Sequence, residues 1–319
     1  IFKALGDPTR LRIARLLGAM ELAVGELAQV LGQSQPRVSR HVGILCDAGL
    51  AERRREGSWV FLRQSESGGA MIEAVQALLA LAETHEPAFA ELCEADRHKL
   101  AAIRRAREAA AETYSARHGG EWDELRALHS ADAEVETRLA EALADGPLGT
   151  LLDIGTGTGR MAELFADKAE RVVAFDKNLE MLRVARAKLQ HLPASRIELV
   201  QGDFADLAFA DDSFDTVILH QVLHFAPDPA PVLAEAARVL RGGGRIAIVD
   251  FASHDHEELR TRHQHVRLGF SDRQMADLLK GAGFAASPPT ALEGGALVVK
   301  IWIATRRSPA VPKKSPALE

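Results

Sequence analysis

The chain has 319 residues, 47% of them hydrophobic and 26% charged, which excludes a wholly disordered or collagen-like protein. The length predicts about two domains, and no apolar run approaches the roughly 18–20 residues of a membrane span. The net charge of −6 is an average over the chain and does not exclude a nucleic-acid partner. Residues 1–65 alone are basic, with ten Lys or Arg against six Asp or Glu. The two cysteines form no disulfide framework, so we expect a cytoplasmic protein without membrane association.

Residues 1–64 are predicted to form short helices and then a hairpin. Asp7 suits the cap and Pro8 the first position of a helix. Gly32 ends a second short helix, and Ser34 can cap a third helix over residues 35–48. Two helices joined by a turn of this length are typical of a helix-turn-helix motif.

The third predicted helix has one apolar and one polar side. Val38, Val42 and Leu45 are spaced for a core, whereas the polar side carries residue types that reach base edges and phosphates. The Arg-rich hairpin that follows could meet phosphates at its tip. The predicted DNA contacts are Ser34, Gln35, Arg37, Ser39, Arg40, Arg54 and Arg55. A protein-interaction module with a solvated basic face is the alternative interpretation.

This segment resembles the ArsR/SmtB family of winged-helix repressors in three stretches, FKALGDPTR at 2–10, SQPRVSRH at 34–41 and AGL at 48–50. The resemblance implies a homodimer that reads pseudo-palindromic double-stranded operator DNA with two recognition helices. Many relatives sense metals through cysteines in the first helix of the motif, but residues 21–26 contain no thiol. We therefore predict no metal site, and a sensor elsewhere in the chain.

Residues 65–147 are predicted to be helical and to connect two domains. Apolar residues at helical spacing within residues 71–85 suit the dimerisation helix of the winged-helix family. A long polar helix over residues 96–118 suits a connector. Tyr114 near the end of this helix and Trp122 just beyond it either pack against the next domain or cover a ligand site.

Residues 148–305 alternate apolar strands with helices, which predicts a parallel, doubly wound sheet. The expected fold is therefore multidomain: a mainly α winged helix-turn-helix with its helical connector, then an α/β Rossmann-like domain, then a disordered tail at 306–319. Ligands of such sheets bind at the carboxyl ends of the strands.

The first strand-to-helix turn carries a Gly-x-Gly-x-Gly segment at 155–159. Asp153, just before it, would repel a pyrophosphate but suits an ammonium group. Asp176 can accept from two ribose hydroxyls, Asp203 from an exocyclic amine, and Phe204 can lie on an adenine face. These groups together describe S-adenosylmethionine (SAM) or S-adenosylhomocysteine (SAH), with a dinucleotide as the alternative. The remaining predicted ligand contacts are Gly155, Thr156, Gly157, Gly159, Lys177, Met181, Gly202, His220, Tyr114 and Trp122.

The segment resembles class I SAM-dependent methyltransferases, most of all the branch with the ubiquinone and menaquinone C-methyltransferases. The resemblance rests on the residues just described, on DDSFD at 211–215 and on LRGGGR at 240–245. It places His220 and His224 beside the acceptor, as general-base candidates or as structural wall residues. The histidine pairs at 254–256 and 263–265 could bind a metal, but their polar loop favours a mobile cover.

Two functions agree with this domain pair. The first is a transcriptional regulator, expected to be a repressor, whose operator affinity depends on bound SAH or SAM. The second is an active small-molecule methyltransferase with a DNA-binding arm. Methylation of DNA itself is disfavoured, because the chain lacks the motifs that such enzymes use against a flipped base.

Overall fold

The computed structural model describes residues 1–56, 59–65, 68–126 and 131–307, without the side chains of residue 56 and of residues 114–126. The chain divides into two compact units that alternate along the sequence. The first comprises Ile1–Ala116, Gly157–Arg160 and Asn178–Gln201, and the second Arg117–Thr156, Met161–Lys177 and Gly202–Glu319.

The elements as far as residue 142 are α1 (Phe2–Leu5), α2 (Pro8–Ala19), β1 (Leu22–Ala23), α3 (Val24–Leu31), α4 (Gln35–Asp47), β2 (Ala51–Glu56), β3 (Trp59–Gln64), α5 (Gly69–His85), α6 (Pro87–Arg126) and α7 (Asp132–Ala142). From residue 150 they are β4 (Thr150–Ile154), α8 (Arg160–Phe165), β5 (Arg171–Asp176), α9 (Leu179–Leu189), β6 (Ile197–Gln201), β7 (Phe214–His220), a 3-10 turn (Leu223–Phe225), α10 (Pro229–Val239), β8 (Leu240–Phe251), α11 (Glu258–Arg262), α12 (Asp272–Gly281), β9 (Phe284–Ala286), β10 (Thr290–Leu292) and β11 (Val299–Arg306).

The first unit begins with a winged helix-turn-helix. The Asp7 carboxylate accepts from the Thr9 amide at 2.9 Å and so caps α2, as predicted. Gly32 ends α3 in the left-handed region, with φ of 66°, a conformation that glycine adopts without strain. Strands β1, β3 and β2 form an antiparallel sheet in that order, which makes β2 and β3 the wing.

The core of the first unit lies between α2, α3, α4 and β3. Val38, Val42 and Leu45 on α4 are all buried in it, as their spacing predicts. Burying three such side chains contributes about 1.5–3 kcal/mol each. Because this apolar side of α4 is fixed against the core, its opposite side faces outward.

Helices α5 and α6 extend this core. Leu100 and Ile103 of α6 are buried in it, and the Arg12 guanidinium binds the buried Asp96 carboxylate of α6, with 2.7 Å between Nε and Oδ2. The predicted helix over 96–118 is too short, because α6 runs from Pro87 to Arg126. Its 40 residues span about 60 Å at 1.5 Å per residue.

The strands of the second unit are in the order β10-β11-β8-β7-β4-β5, and β9 pairs with the far end of β11. The pairs β5–β4, β4–β7 and β7–β8 are parallel, as predicted. Strand β11 lies antiparallel to β8 and was not predicted. Most of the central strand residues are buried, as a sheet covered on both faces requires. The carboxyl ends of β4, β5, β7 and β8 therefore meet at one edge.

Candidate functional site

The polar side of α4 offers a surface for a double-stranded nucleic acid. Ser34, Gln35, Arg37 and Arg40 are exposed, and Ser39 is half-buried. Because Val38, Val42 and Leu45 occupy the buried side of α4, these five residues lie on the rest of the helix or at its N-terminus. This is the arrangement in which a recognition helix presents base and phosphate contacts.

The wing supplies one of the two arginines expected to contact DNA. Arg55 is exposed on β2. Arg54 departs from the expected position at the hairpin tip, because its guanidinium is half-buried and donates to Glu21 at 2.8 Å. It also lies 3.6 Å from the Glu198 carboxylate. The predicted turn residues Gly57 and Ser58 lie outside the described residues.

Arg54 is part of an ion-pair cluster that joins the wing to α9 and β6. At its centre the Glu21 carboxylate accepts from both Arg54 and Arg186. Arg63 of the wing donates to Glu198 of β6 at 2.8 Å. Burial alone raises the pKa of Glu21, but the charges of Arg186 and Arg54 outweigh it and hold that pKa below its usual range. We call Glu21, Arg54, Arg63, Arg186 and Glu198 the wing cluster.

Aromatic contacts reinforce the wing cluster. The Arg186 guanidinium lies 3.7 Å from the centre of the Phe61 ring, and that of Arg183 lies 5.6 Å from the Trp59 ring. The two rings stack on the same face of β3. Such cation–π contacts contribute about 0.5–2 kcal/mol, more as the cation is desolvated. Sequence reasoning missed this contact, because nothing local relates Glu21 to a residue on α9.

The Asp153 carboxyl group is fully buried at the end of β4. It accepts from the Thr156 hydroxyl at 2.6 Å through Oδ2, while Oδ1 has no hydrogen-bond partner among the described residues. Burial is the largest cause that raises the pKa of Asp153, to about 7. A buried oxygen without a partner costs about 1–3 kcal/mol. An ammonium group is one donor that would satisfy it, and the assignment of Asp153 to the ligand stays a prediction.

The glycines at 155, 157 and 159 are required because neighbouring atoms lie close to them or because their backbone has positive φ. A Cβ on Gly155, whose φ is 72°, would lie 2.2 Å from Val222 Cγ2. In the first unit, Gly157 and Gly159 also have positive φ, and a Cβ on Gly159 would meet Ala185 of α9 at 3.1 Å. The loop therefore exposes backbone where side chains would fill the space.

The predicted nucleoside contacts lie beyond β5 and in the Gly202–Phe204 segment. Asp176 ends β5, and its carbonyl accepts from the Gly202 amide at 3.2 Å. Asp203 is exposed, and the Lys177 ammonium lies 5.6 Å from the Phe204 ring. Met181 is half-buried on α9 in the first unit. A Cβ on Gly202 would meet the Phe175 ring at 2.6 Å.

His220 and His224 follow the sheet edge in different environments. His220 is half-buried at the end of β7. His224 is 1% exposed, and its Nδ1 lies 2.8 Å from Asp250 Oδ1. The ring centre of His224 is 4.0 Å from that of His265. Burial is the first cause, and the charge of His224 the second, that lowers the pKa of His265 to about 3.

Three further predictions concern metals, membranes and the aromatic cover. Among the described residues, no group of three His, Cys, Asp or Glu side chains could hold a metal ion. Within the same residues, no helix is long and apolar enough to cross a membrane. The side chains of Tyr114 and Trp122 lie outside the described part of the chain, so their place stays a prediction.

Family models match two segments of the chain. Residues 5–54 match the helix-turn-helix domain, and residues 152–248 match the methyltransferase domain. The chain thus carries an ArsR-type helix-turn-helix domain and a class I methyltransferase domain, and the second supports SAM or SAH as its ligand. Asp153 and its unpartnered Oδ1 fit the ammonium group of that ligand.

Curated relatives cover parts of the chain. An uncharacterised 37.1 kDa protein in transposon TN4556 of Streptomyces fradiae is 32% identical over 216 residues, 62% of this chain and 60% of the relative. A demethylmenaquinone methyltransferase of Clavibacter sepedonicus is 36% identical over 134 residues, 41% of this chain and 54% of the relative. The chain therefore spans 54–60% of the length of these relatives.

Solved structures agree with the fold of the second domain. A candidate sarcosine dimethylglycine methyltransferase from Galdieria sulphuraria superposes with a TM-score of 0.50 at 17% identity, over 56% of this chain and 87% of that one. At this identity the likeness concerns the fold alone.

Proposed function

We propose that this chain is a transcriptional regulator whose affinity for operator DNA changes when SAM or SAH binds its methyltransferase domain. The observation that carries the proposal is the wing cluster, in which Glu21, Arg54 and Arg186 link the DNA-binding wing to α9. A ligand changes DNA affinity only if it binds two states of the protein differently. The wing held by α9 and the wing free of it are two such states.

Helix α9 is a suitable link between ligand and wing. It begins directly after Asp176 and Lys177, and the Asn178 side chain caps it by accepting from the Glu180 amide at 2.9 Å. Ala185 of α9 lies against Gly159 of the ligand loop, and the next residue, Arg186, binds Glu21. A ligand that shifts the loop or the start of α9 would therefore shift Arg186.

The wing cluster also withholds positive charge from DNA. Arg54 and Arg63 are both neutralised by carboxylates, whereas Arg55 on the same hairpin is exposed. Each phosphate contact that a protein loses weakens DNA binding and reduces its salt dependence. We infer that release of the wing strengthens binding, so that a ligand favouring the docked wing lowers operator affinity.

A homodimer completes the proposed DNA-binding form. Val75 and Leu79 of α5 are buried in the core, while Met71, Leu78 and Leu81 of the same helix are exposed. Phe2 of α1 is 90% exposed. Exposed apolar side chains on the helix that the winged-helix resemblance assigns to dimerisation favour a second copy of this chain as their partner.

The test is operator binding with and without each ligand. Operator duplexes are selected from a random library with the ligand-free protein, and the Kd is then measured in SAM, in SAH and in neither. We expect at least one ligand to change the Kd by about 5–150-fold. Asp176→Ala should abolish this change but keep the ligand-free Kd, whereas equal Kd values in all three conditions contradict the proposal.

A further inference from the structure

Arg53, at the base of the wing, faces α4 and not the wing cluster. Successive residues of a strand lie on opposite faces of the sheet, so Arg53 and Arg54 face different ways. Arg53 lies opposite Leu62 of β3, which is fully buried in the core with the apolar side of α4. Arg54 lies opposite Phe61, whose ring contacts Arg186 of the wing cluster. The two neighbouring arginines are therefore separated by the sheet.

The guanidinium of Arg53 lies beside a glycine of α4. Its Nη2 donates to the Ser39 carbonyl at 3.4 Å, and the same nitrogen is 3.6 Å from the place where a Cβ of Gly43 would be. Gly43 follows Arg40 by three positions, and residues at this spacing are neighbours on the surface of a helix. Because Gly43 has no side chain, the Arg53 guanidinium lies over the surface that a side chain at position 43 would cover.

The charge of Arg53 is available to a ligand. Arg54 and Arg63 are bound to carboxylates, whereas Arg53 is exposed and forms no ion pair with a carboxylate of the described residues. A guanidinium has five N–H donors, and the long bond to Ser39 uses one of them. That bond also restricts the side chain, so less rotational freedom is lost when the guanidinium binds a ligand.

Arg37, Arg40 and Arg53 form a row of positive charge along α4. Positions 37, 40 and 43 are each three residues apart, and the guanidinium of Arg53 lies at the third of them. The three arginines are all exposed. DNA carries one phosphate charge for about every 1.7 Å of its axis, so cations beside a helix that enters a groove meet phosphates.

We propose that Arg53 binds a backbone phosphate of operator DNA where the wing meets α4, in place of the side chain that Gly43 lacks. The inference rests on the DNA-binding part of the proposed function, and it concerns the base of the wing instead of its tip. A phosphate contact fixes the position of the helix on the duplex without a preference for any base. Arg53 therefore contributes affinity for every duplex and sets the position from which α4 reads the groove.

Arg53→Ala tests this contact by fluorescence anisotropy with the ligand-free full chain. We expect the Kd to rise about tenfold or more, by the same factor on the selected operator and on a duplex of scrambled sequence. The slope of log Kd against log salt concentration should decrease by about 1 for each bound protomer. Arg105→Ala, which removes an exposed arginine of α6, is the matched control and should change neither quantity.

A second variant separates a phosphate contact from a structural role. Gly43 lies inside α4 and is not among the glycines with positive φ, so other residues fit its backbone. Gly43→Lys combined with Arg53→Ala places an ammonium group on the same surface, and we expect most of the lost affinity and salt dependence to return. Urea denaturation should give the same free energy of unfolding for the wild type and Arg53→Ala, because the side chain is exposed.

These outcomes are distinct from those that decide the proposed function. Equal Kd values with and without SAM or SAH, together with the expected loss in Arg53→Ala, contradict ligand regulation and leave the phosphate contact standing. An unchanged Kd and salt slope in Arg53→Ala overturns the phosphate contact, and so does a loss confined to the selected operator. A loss of binding that is accompanied by lower stability, and that Gly43→Lys does not restore, assigns Arg53 a structural role and overturns it as well.

Discussion

Arg186 and Glu21 form an ion pair although 165 positions separate them in the chain. Both side chains are largely shielded from water, and Arg54 and Phe61 bind the same pair from the wing. A charge pair of this kind stabilises one relative position of wing and α9. It also makes that position sensitive to any change on α9.

Glu21→Gln should therefore lower the free energy of unfolding by about 2–4 kcal/mol, since it removes the carboxylate charge that two partly buried guanidinium groups share. Urea denaturation at pH 7 measures this loss. The matched control is Glu141→Gln, which breaks the exposed pair between Arg138 and Glu141 on α7. That change should cost less than about 1 kcal/mol. Equal losses of unfolding free energy in both variants would show that the wing cluster stabilises the fold no more than an exposed ion pair does.

Asp153→Asn should stabilise the ligand-free protein, and more so as the pH rises. The carboxyl pKa, 3.8 in the unfolded chain, is raised to about 7 in the fold. Because the folded pKa is the higher one, the stability linked to Asp153 is complete below the unfolded value. It is lost as the pH rises from there to about 7. The loss amounts to up to about 4 kcal/mol, which the uncharged asparagine avoids.

Urea denaturation of wild type and Asp153→Asn at pH 5 and pH 8 tests this sign. A stability difference that stays constant between these pH values would contradict the raised pKa. Calorimetric titration with SAH tests the role of Asp153 in ligand binding, because the ammonium group of SAH loses its charged partner in Asp153→Asn. We expect the affinity to fall by about 10–150-fold.

Gly155→Ala should destabilise the fold through two separate effects. A left-handed alanine costs about 1–2 kcal/mol, and the overlap of its Cβ with Val222 adds about 1–3 kcal/mol. Gly243→Ala isolates the first effect, because Gly243 has φ of 83° and nothing within 4 Å of its Cβ position. Adding Val222→Ala to Gly155→Ala should recover most of the overlap cost. No recovery would mean that the contact with Val222 is not what excludes a side chain.

Arg40→Ala should weaken operator binding by about 1–3 kcal/mol if the guanidinium reads a base, with relaxed specificity at that base. If it binds a phosphate instead, the loss should be uniform across sequences and the salt dependence should decrease. Fluorescence anisotropy on the selected operator at two salt concentrations distinguishes these outcomes. Arg273→Ala, an exposed arginine on α12, is the control. Unchanged binding by Arg40→Ala would remove α4 as the recognition helix.

Leu78→Glu should convert a dimer into a monomer, since it places a charge in the exposed apolar side of α5. Sedimentation velocity on the ligand-free chain gives the oligomeric state. Val266→Glu makes the same kind of change at an exposed apolar residue of the second unit and should leave the dimer intact. A wild-type monomer at micromolar concentration would rule out the proposed homodimer.

Local signals in the sequence determined much of this protein. Capping by Asp7, the break at Gly32 and the buried spacing of Val38, Val42 and Leu45 are properties of a few neighbouring residues, so the helix-turn-helix could be predicted. The same holds for the parallel strands and the Gly-x-Gly-x-Gly segment. The apolar pattern of a strand is visible in its own few residues and does not depend on distant parts of the chain.

Tertiary structure alone decided the rest, because the relevant energies depend on which distant residues share a buried volume. Arg54 looks like a phosphate contact in its own segment, and only the presence of Glu21 and Glu198 makes it an internal ion pair. The His224 ring is held in one orientation only because Asp250, 26 positions later, lies 2.8 Å from its Nδ1. Asp153 has an ordinary carboxylate pKa until the fold removes water from it, and burial then raises that pKa to about 7.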